Sequence, residues 1–495
     1  MTASASATPT TSDADLVTET APGLKKGSIG AFGIVFFIIA AAAPLTVVVA
    51  LFPVIMGDGN GIGVAGAFLA VALVLLVFSV GYVAMSRHVT NAGAFYSYVT
   101  LGLGRPLGLG SAGLAVFSYN AIQLGLYGGI GYYTKELVAD ELGLDLPWWL
   151  CSGLALVGCL ALGVNRIHSG ARVLGALLIV ETAVITVLDA AILFNSSTPV
   201  ADYSLEPFAP TTVFAGALGV ALMFAHASFI GFEGSAIYGE EARDPKRTVP
   251  RATYVAVVFM GVFYAITAWL MVNALGVGGA VAAARTQAGD LVFVISDSVI
   301  GGWMTLVFRF LIITSMFAAI VTFHNNVARY LYSLGRQGAL PEALGRCHPR
   351  KNSPYVACVL QTAMVGAVIV LFAVTGLDPY RDLFTWLTGI GAMGVILLQF
   401  VASVAIFVFF RRRNLDKRIW NTVVAPVLGI AGLVPFLYFA LTGVNVLLGT
   451  DGPLAAVLVG LVFLSLLGGT AWGVVVRYRA PHVYARLAVA AGDRE

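Results

Sequence analysis

The chain has 495 residues, of which 59% are hydrophobic and 11% charged, with a mean hydropathy of +0.90 and a formal net charge of +3. A soluble globular domain carries about 25% charged residues, so a soluble enzyme or adaptor is excluded. The basic residues sit at the borders of apolar runs, a pattern that speaks for a lipid bilayer as partner and against nucleic acid.

Residues 1–28 are polar and rich in Ser, Thr and Ala, with no apolar core before Ile29. This composition predicts a disordered cytoplasmic tail and not a cleaved signal peptide. Long apolar segments then recur at 29–56, 62–86, 106–130, 147–165, 170–194 and 212–238. A second set follows at 252–277, 300–334, 355–376, 383–410, 421–449 and 453–476. Each can cross a hydrocarbon core of about 30 Å as a helix. The fold class is therefore an all-α membrane protein of twelve transmembrane helices, called spans 1 to 12 below. The segment 300–334 is longer than one crossing needs, so its last turns extend past the bilayer. Cys151, Cys159, Cys347 and Cys358 stand singly, without metal-ligand spacing or a disulfide framework, and no cofactor is implied.

Lysine and arginine set the orientation. With the N-terminus inside, 24 of the 28 basic residues fall on the cytoplasmic side, including Lys25, Lys26, Arg243, Lys246, Arg247, Arg251 and Arg411 to Arg413. The outer loops lean acidic through Asp140, Glu141, Asp145, Asp202, Glu206, Asp378 and Asp382. Both termini are expected in the cytoplasm of a cell bounded by this plasma (bacterial inner) membrane.

Two spans are interrupted. Span 1 carries Ala40 to Ala43 followed by Pro44, Leu45 and Thr46 near mid-membrane. Pro44 lacks an N–H and clashes with the preceding turn, so the helix kinks or breaks there. Span 6 carries Phe229, Ile230, Gly231, Phe232, Glu233, Gly234 and Ser235, a carboxylate flanked by glycines. A charged side chain at that depth costs about 2.5–3.5 kcal/mol on insertion scales and must face protein or a wet cavity. The breaks lie five spans apart, so a unit that starts inside and ends outside is followed by one of inverted topology. Paired breaks in inverted repeats mark a midplane binding site, where half-helix N-termini offer free N–H groups to a carboxylate.

These residues resemble a known family. Phe229 to Ser235, with Gly239, Glu240, Glu241, Ala242, Arg243, Asp244, Pro245, Lys246, Arg247, Thr248, Val249, Pro250, Arg251 and Ala252, resembles the span 6 and loop 6–7 signature of the amino acid–polyamine–organocation (APC) superfamily. Arg329 to Pro341 is similar to the family's loop after span 8, and Ala92 to Tyr98 to its loop 2–3 motif, with Ala94 in place of a second glycine. The resemblance runs over roughly residues 27–478.

It implies a LeuT-type fold of two inverted five-helix repeats, 29–194 and 212–410. Two extra C-terminal helices at 421–476 and a cytoplasmic tail at 477–495 complete the chain. It also implies a permease for amino acids, polyamines or similar amines. Carried over, Ala41, Ala42 and Ala43 occupy the span 1 break that cradles a substrate carboxylate, where the family commonly has Gly-x-Gly. Phe229, Ile230, Gly231, Phe232 and Glu233 match the span 6 break, and Asn120 and Phe323 resemble pocket-lining positions. Glu233 resembles the glutamate of the arginine/agmatine exchangers, but the tryptophan six residues earlier in that group is Ala227 here, which argues against simple arginine/agmatine exchange.

Glu181 lies mid-span 5, at the position where several ion-independent or proton-coupled family members place a lysine that stands in for a sodium ion. Burial favours the neutral form of a carboxyl group, which makes proton exchange accessible to it. Three roles fit Glu181: coupling-proton carrier, a neutral acid bonding between helices, or a ligand to sodium. Glu233 fits either a partner for the substrate amine and second proton site, or a cap on the second half of span 6. Asp189 reads as interfacial, His226 and His324 as satisfied packing histidines, and Arg309 as a snorkelling side chain.

No His-x-x-x-His, Gly-x-Ser-x-Gly or Gly-x-x-x-x-Gly-Lys pattern occurs, so neither a membrane enzyme nor an ATP-driven pump is indicated. The expectation is a secondary transporter for amino acids or related amines with a proton as co-substrate. Exchange, polyamine import and a transporter-like nutrient sensor are the other readings. Oligomeric state leaves no mark in the sequence.

Overall fold

The structure is a computed structural model that describes residues 30–487 except 90–93, 166–169, 238–243, 350, 352, 414, 450 and 451. The expectations for the tail 1–28, for residues 488–495, for Gly239 to Arg243 and for Ala92 and Gly93 fall outside the described residues.

Among the described residues there is no strand, and nine helices are long and apolar enough to cross a membrane. They occupy the predicted positions of spans 2, 4, 5 and 7 to 12, from Gly61–Ser86 to Pro453–Arg479. The positions of spans 1, 3 and 6 behave differently. Span 3 is a 38-residue helix, Arg105–Leu142, whose glycines and polar residues dilute its apolar character. Spans 1 and 6 are broken, as Pro44 and the Gly231 to Gly234 stretch predict.

Packing gathers the helices into two groups. Span 7 lies along span 2, and spans 1, 2, 6 and 7 touch one another. Span 3 is the axis of the second group, packed on spans 4, 8 and 10, with span 9 against spans 4 and 8. Span 5 bridges the groups, touching span 1, span 7 and span 8. Large apolar side chains such as Leu73, Phe194, Val374 and Leu464 stand exposed on the perimeter, the surface that acyl chains cover.

Inside, hydroxyls find partners on their own helix. Ser79 donates to the Leu75 carbonyl at 2.7 Å, Ser118 to Leu114 at 2.7 Å and Ser228 to Phe224 at 2.9 Å. Where no water can reach, such local bonds satisfy the group without a partner helix.

Short helices fill connections that the hydropathy pattern left blank: Ala94–Leu103 before span 3, and Ala280–Gln287 and Leu291–Val299 between spans 7 and 8. The last buries Leu291, Val292, Phe293, Ile295 and Val299 against the bundle, but at nine residues it is too short to register as a crossing. Arg285 ties this connection to the end of span 1 by donating from Nε to the Gly57 carbonyl at 2.8 Å.

Candidate functional site

The span 1 break is a single left-handed residue. The first half, Ala31–Ala42, ends at Ala43, with φ 48° and ψ 71°, and the second half starts with Pro44. Helical hydrogen bonding holds on both sides, Ala43 N–H to Ile39 at 3.2 Å and Val47 N–H to Ala43 at 3.2 Å. Proline at the first helical position loses nothing, since that N–H has no intrahelical acceptor. An alanine in this conformation is strained by about 1–2 kcal/mol, so tertiary contacts hold it there.

The span 6 break runs from the end of Leu218–Ala227 to the start of Gly234–Ile237. Gly231 has φ 118°, which favours glycine. The two breaks meet at this residue. A methyl group built on Gly231 would lie 2.8 Å from Ala41 Cβ and 3.6 Å from the Ala42 amide nitrogen.

Glu233 is 2% exposed and occupied at both oxygens. Gly231 N–H donates to Oε2 at 2.9 Å, and the Tyr119 hydroxyl of span 3 donates to Oε1 at 2.8 Å. Tyr82 of span 2 donates to the Glu233 carbonyl at 2.8 Å. Glu233 therefore ties its own break to span 3 through its carboxylate and to span 2 through its backbone carbonyl. Tyr82 and Tyr98, with ring centroids 5.1 Å apart, and Tyr119 and Tyr330, 6.3 Å apart, form an aromatic layer on the loop 2–3 side of the crossing.

Glu181 organises a second junction. Ser315 of span 8 donates to its Oε2 at 2.9 Å, and Thr46 of span 1 donates to Ser315 Oγ at 3.1 Å. The backbone amide of Leu45, at the start of the second half of span 1, lies beside the same carboxyl. One carboxyl thus joins spans 1, 5 and 8 immediately after the span 1 break.

The opposite end of the crossing is covered by Tyr132, Tyr133 and Tyr380. Tyr380 donates to the Ala50 carbonyl of span 1 at 2.8 Å, and Tyr133 to the Gly289 carbonyl at 3.3 Å. Tyr132 reaches Asp290 Oδ2 at 3.5 Å. Burial lifts the Asp290 carboxyl above its ordinary range, while Arg309 pulls it down.

The remaining predicted residues divide. Ala42, Ala43 and Ile230 are buried at the crossing. Phe229 packs among Phe68 of span 2 and Tyr264 of span 7, and Phe232 among Phe78 and Tyr82 of span 2. Phe323 stands against Tyr119, ring centroids 5.8 Å apart. Asn120 turns to span 9, accepting from Gln361 Nε2 and donating to the Val116 carbonyl at 2.9 Å. Gln361 Nε2 also reaches Gln123 Oε1 at 2.7 Å, which makes a buried amide cluster of spans 3 and 9.

Three further residues gain definite surroundings. Asp189 is enclosed by protein, 9% exposed, and accepts from Thr267 of span 7 at 2.8 Å. Arg309 pairs with Asp140 at the end of span 3 and lies over the Phe293 ring at 5.4 Å. His324 is buried with neither ring nitrogen hydrogen-bonded among the described residues, whereas His226 meets Gln399 of span 10 at 2.9 Å as a packing histidine should. The sequence reading also missed Tyr119, Ser315 and Thr46. Nothing in a hydropathy pattern marks them, because an isolated hydroxyl in a membrane helix usually satisfies itself on its own backbone.

Among the described residues no group of three or more His, Cys, Asp or Glu side chains could hold a metal ion. Two broken helices crossing at mid-bundle, with a buried carboxyl at each junction, define a membrane permease of the broken-helix class. The profile of the family described as "Amino acid permease" matches residues 29–464. The chain belongs to that family, within the APC superfamily, and is a transporter and not an enzyme. It is similar to the branched-chain amino acid permease BcaP of Lactococcus lactis, 25% identical over 76% of this chain and 81% of the relative. The Bacillus subtilis branched-chain amino acid permease BcaP is 22% identical over 74% and 78%. The low-affinity putrescine importer PlaP of Escherichia coli is 22% identical over 63% and 67%.

Proposed function

We propose that the protein is a secondary active permease that carries a neutral amino acid across the plasma membrane by alternating access, coupled to protons. The two repeats 29–194 and 212–410 form the moving core, and both termini face the cytoplasm. The observation that carries this reading is the contact of Gly231 with Ala41 and Ala42, which brings the two broken helices to one point.

At that point the substrate carboxylate would lie beside Ala41 to Ala43 at the positive start of the second half of span 1, Pro44–Thr46, because the amides of Ala43, Ile230 and Gly231 are already bonded to Ile39, Ala227 and Glu233. Phe323 approaches this region from span 8 through its contact with Tyr119, while Asn120 of span 3 is held by Gln361 of span 9. Glu233 already accepts two hydrogen bonds, so its role is to hold the break to Tyr119 and to exchange a proton there. This favours a neutral amino acid over an amine whose second charge would need a free carboxylate. The branched-chain permeases among the relatives support the same choice.

Glu181 is the coupling carboxyl. Protonation changes what it offers to Ser315, and through Ser315 to Thr46 behind the span 1 break. A gain or loss of one proton thereby alters a bond that links span 1 to span 8, elements from the two groups.

The deciding experiment is uptake into liposomes by purified protein, using labelled leucine, lysine, agmatine and putrescine, with and without an inward proton gradient. Saturable uptake of leucine, stimulated by the gradient, is expected. Uptake of putrescine in place of leucine would assign the chain to amine import, which the resemblance to the putrescine importer allows. Uptake that requires substrate inside the vesicles and ignores the gradient would make it an exchanger. No transport by folded protein would end the transporter mechanism proposed here.

A further inference from the structure

Span 5 carries a second buried carboxyl that the mechanism above does not use. Asp189 follows Glu181 by eight residues, about 12 Å of rise and about 80° around the axis beyond two full turns, which leaves both on one broad face of the helix. That side is the buried one: Ile185, Leu188 and Ile192 on it are fully enclosed. Asp189 Oδ2 accepts from Thr267 Oγ1 at 2.8 Å. Its other oxygen, Oδ1, is buried and has no hydrogen-bond partner among the described residues.

Among the described residues no cation serves this carboxyl. The ion pairs of the described residues lie elsewhere: Lys135 with Glu136 and Asp145, Arg247 with Asp244, Arg309 with Asp140, and Arg418 with Asp416. The elements packed on span 5 carry most of their ionisable groups toward the other end of the bundle. Beyond the basic first turns of span 7 stands Tyr264, the short helix Leu291–Val299 brings Asp297, and before its second half, which carries His324 to Arg336, span 8 brings Arg309, already paired with Asp140. The span 1 segments Ala31–Ala42 and Pro44–Thr46 contain none. An unpaired carboxylate enclosed in this way is disfavoured, and a proton on Oδ1 is the simplest way to satisfy it.

Span 7 packs along span 5 beside Asp189. Thr267 meets Asp189, and Tyr264 stands one turn earlier on the same helix. The Tyr264 hydroxyl is itself buried and unpartnered among the described residues. Ile185 fills the intervening turn of span 5 and is fully buried.

We propose that Asp189 is a second proton-binding group, placed on the outer side of Glu181, that receives a proton from the external face and hands it on toward Glu181. In the transfer Asp189 Oδ1 loses one proton and the Glu181 carboxylate gains one. This inference rests on the proton-coupled reading of Glu181, but the proton on Asp189 can be observed without it.

The test is infrared difference spectroscopy of the full-length protein in lipid, in the carboxylic acid C=O stretching region, titrated between pH 5 and 9. Asp189→Asn is expected to remove one band that exchanges with deuterium and responds to pH. Thr267→Val, which keeps the shape and deletes the hydroxyl, is expected to shift that band. Identical spectra for wild type and Asp189→Asn would overturn the proposal, as would a band that neither titrates nor exchanges, the mark of a structural acid. In liposomes the ratio of gradient-driven uptake to exchange is expected to fall in Asp189→Asn. Wild-type uptake indifferent to the gradient would remove the coupling role of Glu181, while the infrared band would still decide whether Asp189 binds a proton.

Discussion

Gly231 and Ala41 are in contact across the centre of the molecule, and no side chain fits between them: a methyl on Gly231 would sit 2.8 Å from Ala41 Cβ. Glycine is required there twice over, for space and for a φ of 118°. The sequence separates these residues by 190 positions, yet their approach is what makes two kinked helices into one site.

Gly231→Ala is therefore expected to be severe. Positive φ costs an alanine about 1–2 kcal/mol, and forcing a methyl into a packed crossing adds about 1–3 kcal/mol. Thermal unfolding of the purified protein should show a clearly lowered midpoint, with transport lost. A variant with the wild-type midpoint would mean that the crossing is looser than described.

Tyr119→Phe removes the donor to Glu233 Oε1 and leaves the ring packed on Phe323. Leaving a buried acceptor unsatisfied costs about 1–3 kcal/mol. The expected outcome is folded protein with reduced turnover and a pH profile different from wild type. Unchanged uptake across pH would show that this hydrogen bond serves packing alone.

Ser315→Ala cuts the connection between Glu181 and Thr46 at its middle. If Glu181 couples protons through that link, Ser315→Ala and Glu181→Gln should weaken gradient stimulation, and the double variant should do no more than Glu181→Gln alone. Additive losses in that comparison would separate the two residues into independent roles.

Arg309 and Asp140 join span 8 to the end of span 3, with 24% and 50% of their side chains exposed. A pair this open contributes about 0–1 kcal/mol. A double-mutant cycle with Arg309→Gln and Asp140→Asn is expected to give a coupling energy in that range, and salt should diminish it. A larger value would point to a closed state in which the pair is sheltered.

Asp416, between spans 10 and 11, accepts from Arg418 Nη2 at 2.6 Å, which holds its carboxyl at about 2, below the ordinary 3.8. A carboxyl lowered by folding stabilises the protein fully above pH 3.8, and that contribution is lost as pH falls through about 2. Asp416→Asn should thus leave the shape of the transport profile between pH 5 and 8 as it is. A changed profile in that range would tie this surface pair to the transport cycle.

Pro44 and Gly231 announced the two breaks because both act locally, one by lacking an N–H and the other by tolerating positive φ. Glu181 and Glu233 were legible as functional candidates because a carboxyl in an apolar run needs a reason to be there. Asp189 read as interfacial because it lies near the end of its span, and depth along a helix says nothing about which neighbour covers it. Tyr119 was hidden beside Asn120 for a related reason: adjacent helical residues point about 100° apart, and the pattern did not say which one met Glu233. The helix Leu291–Val299 was missed because nine residues cannot span a bilayer and its partners are remote in sequence.

What the sequence by itself determined was the solvent of this protein and the placement of its crossings, since hydropathy and backbone chemistry act residue by residue. Only the tertiary structure decided which hydroxyls meet which carboxyls. Thr46, Ser315 and Glu181 come from three helices, and Tyr119, Gly231 and Glu233 from two. Their hydrogen bonds depend on helix rotation and contact, which are fixed by packing across the whole bundle and leave no local mark in the chain.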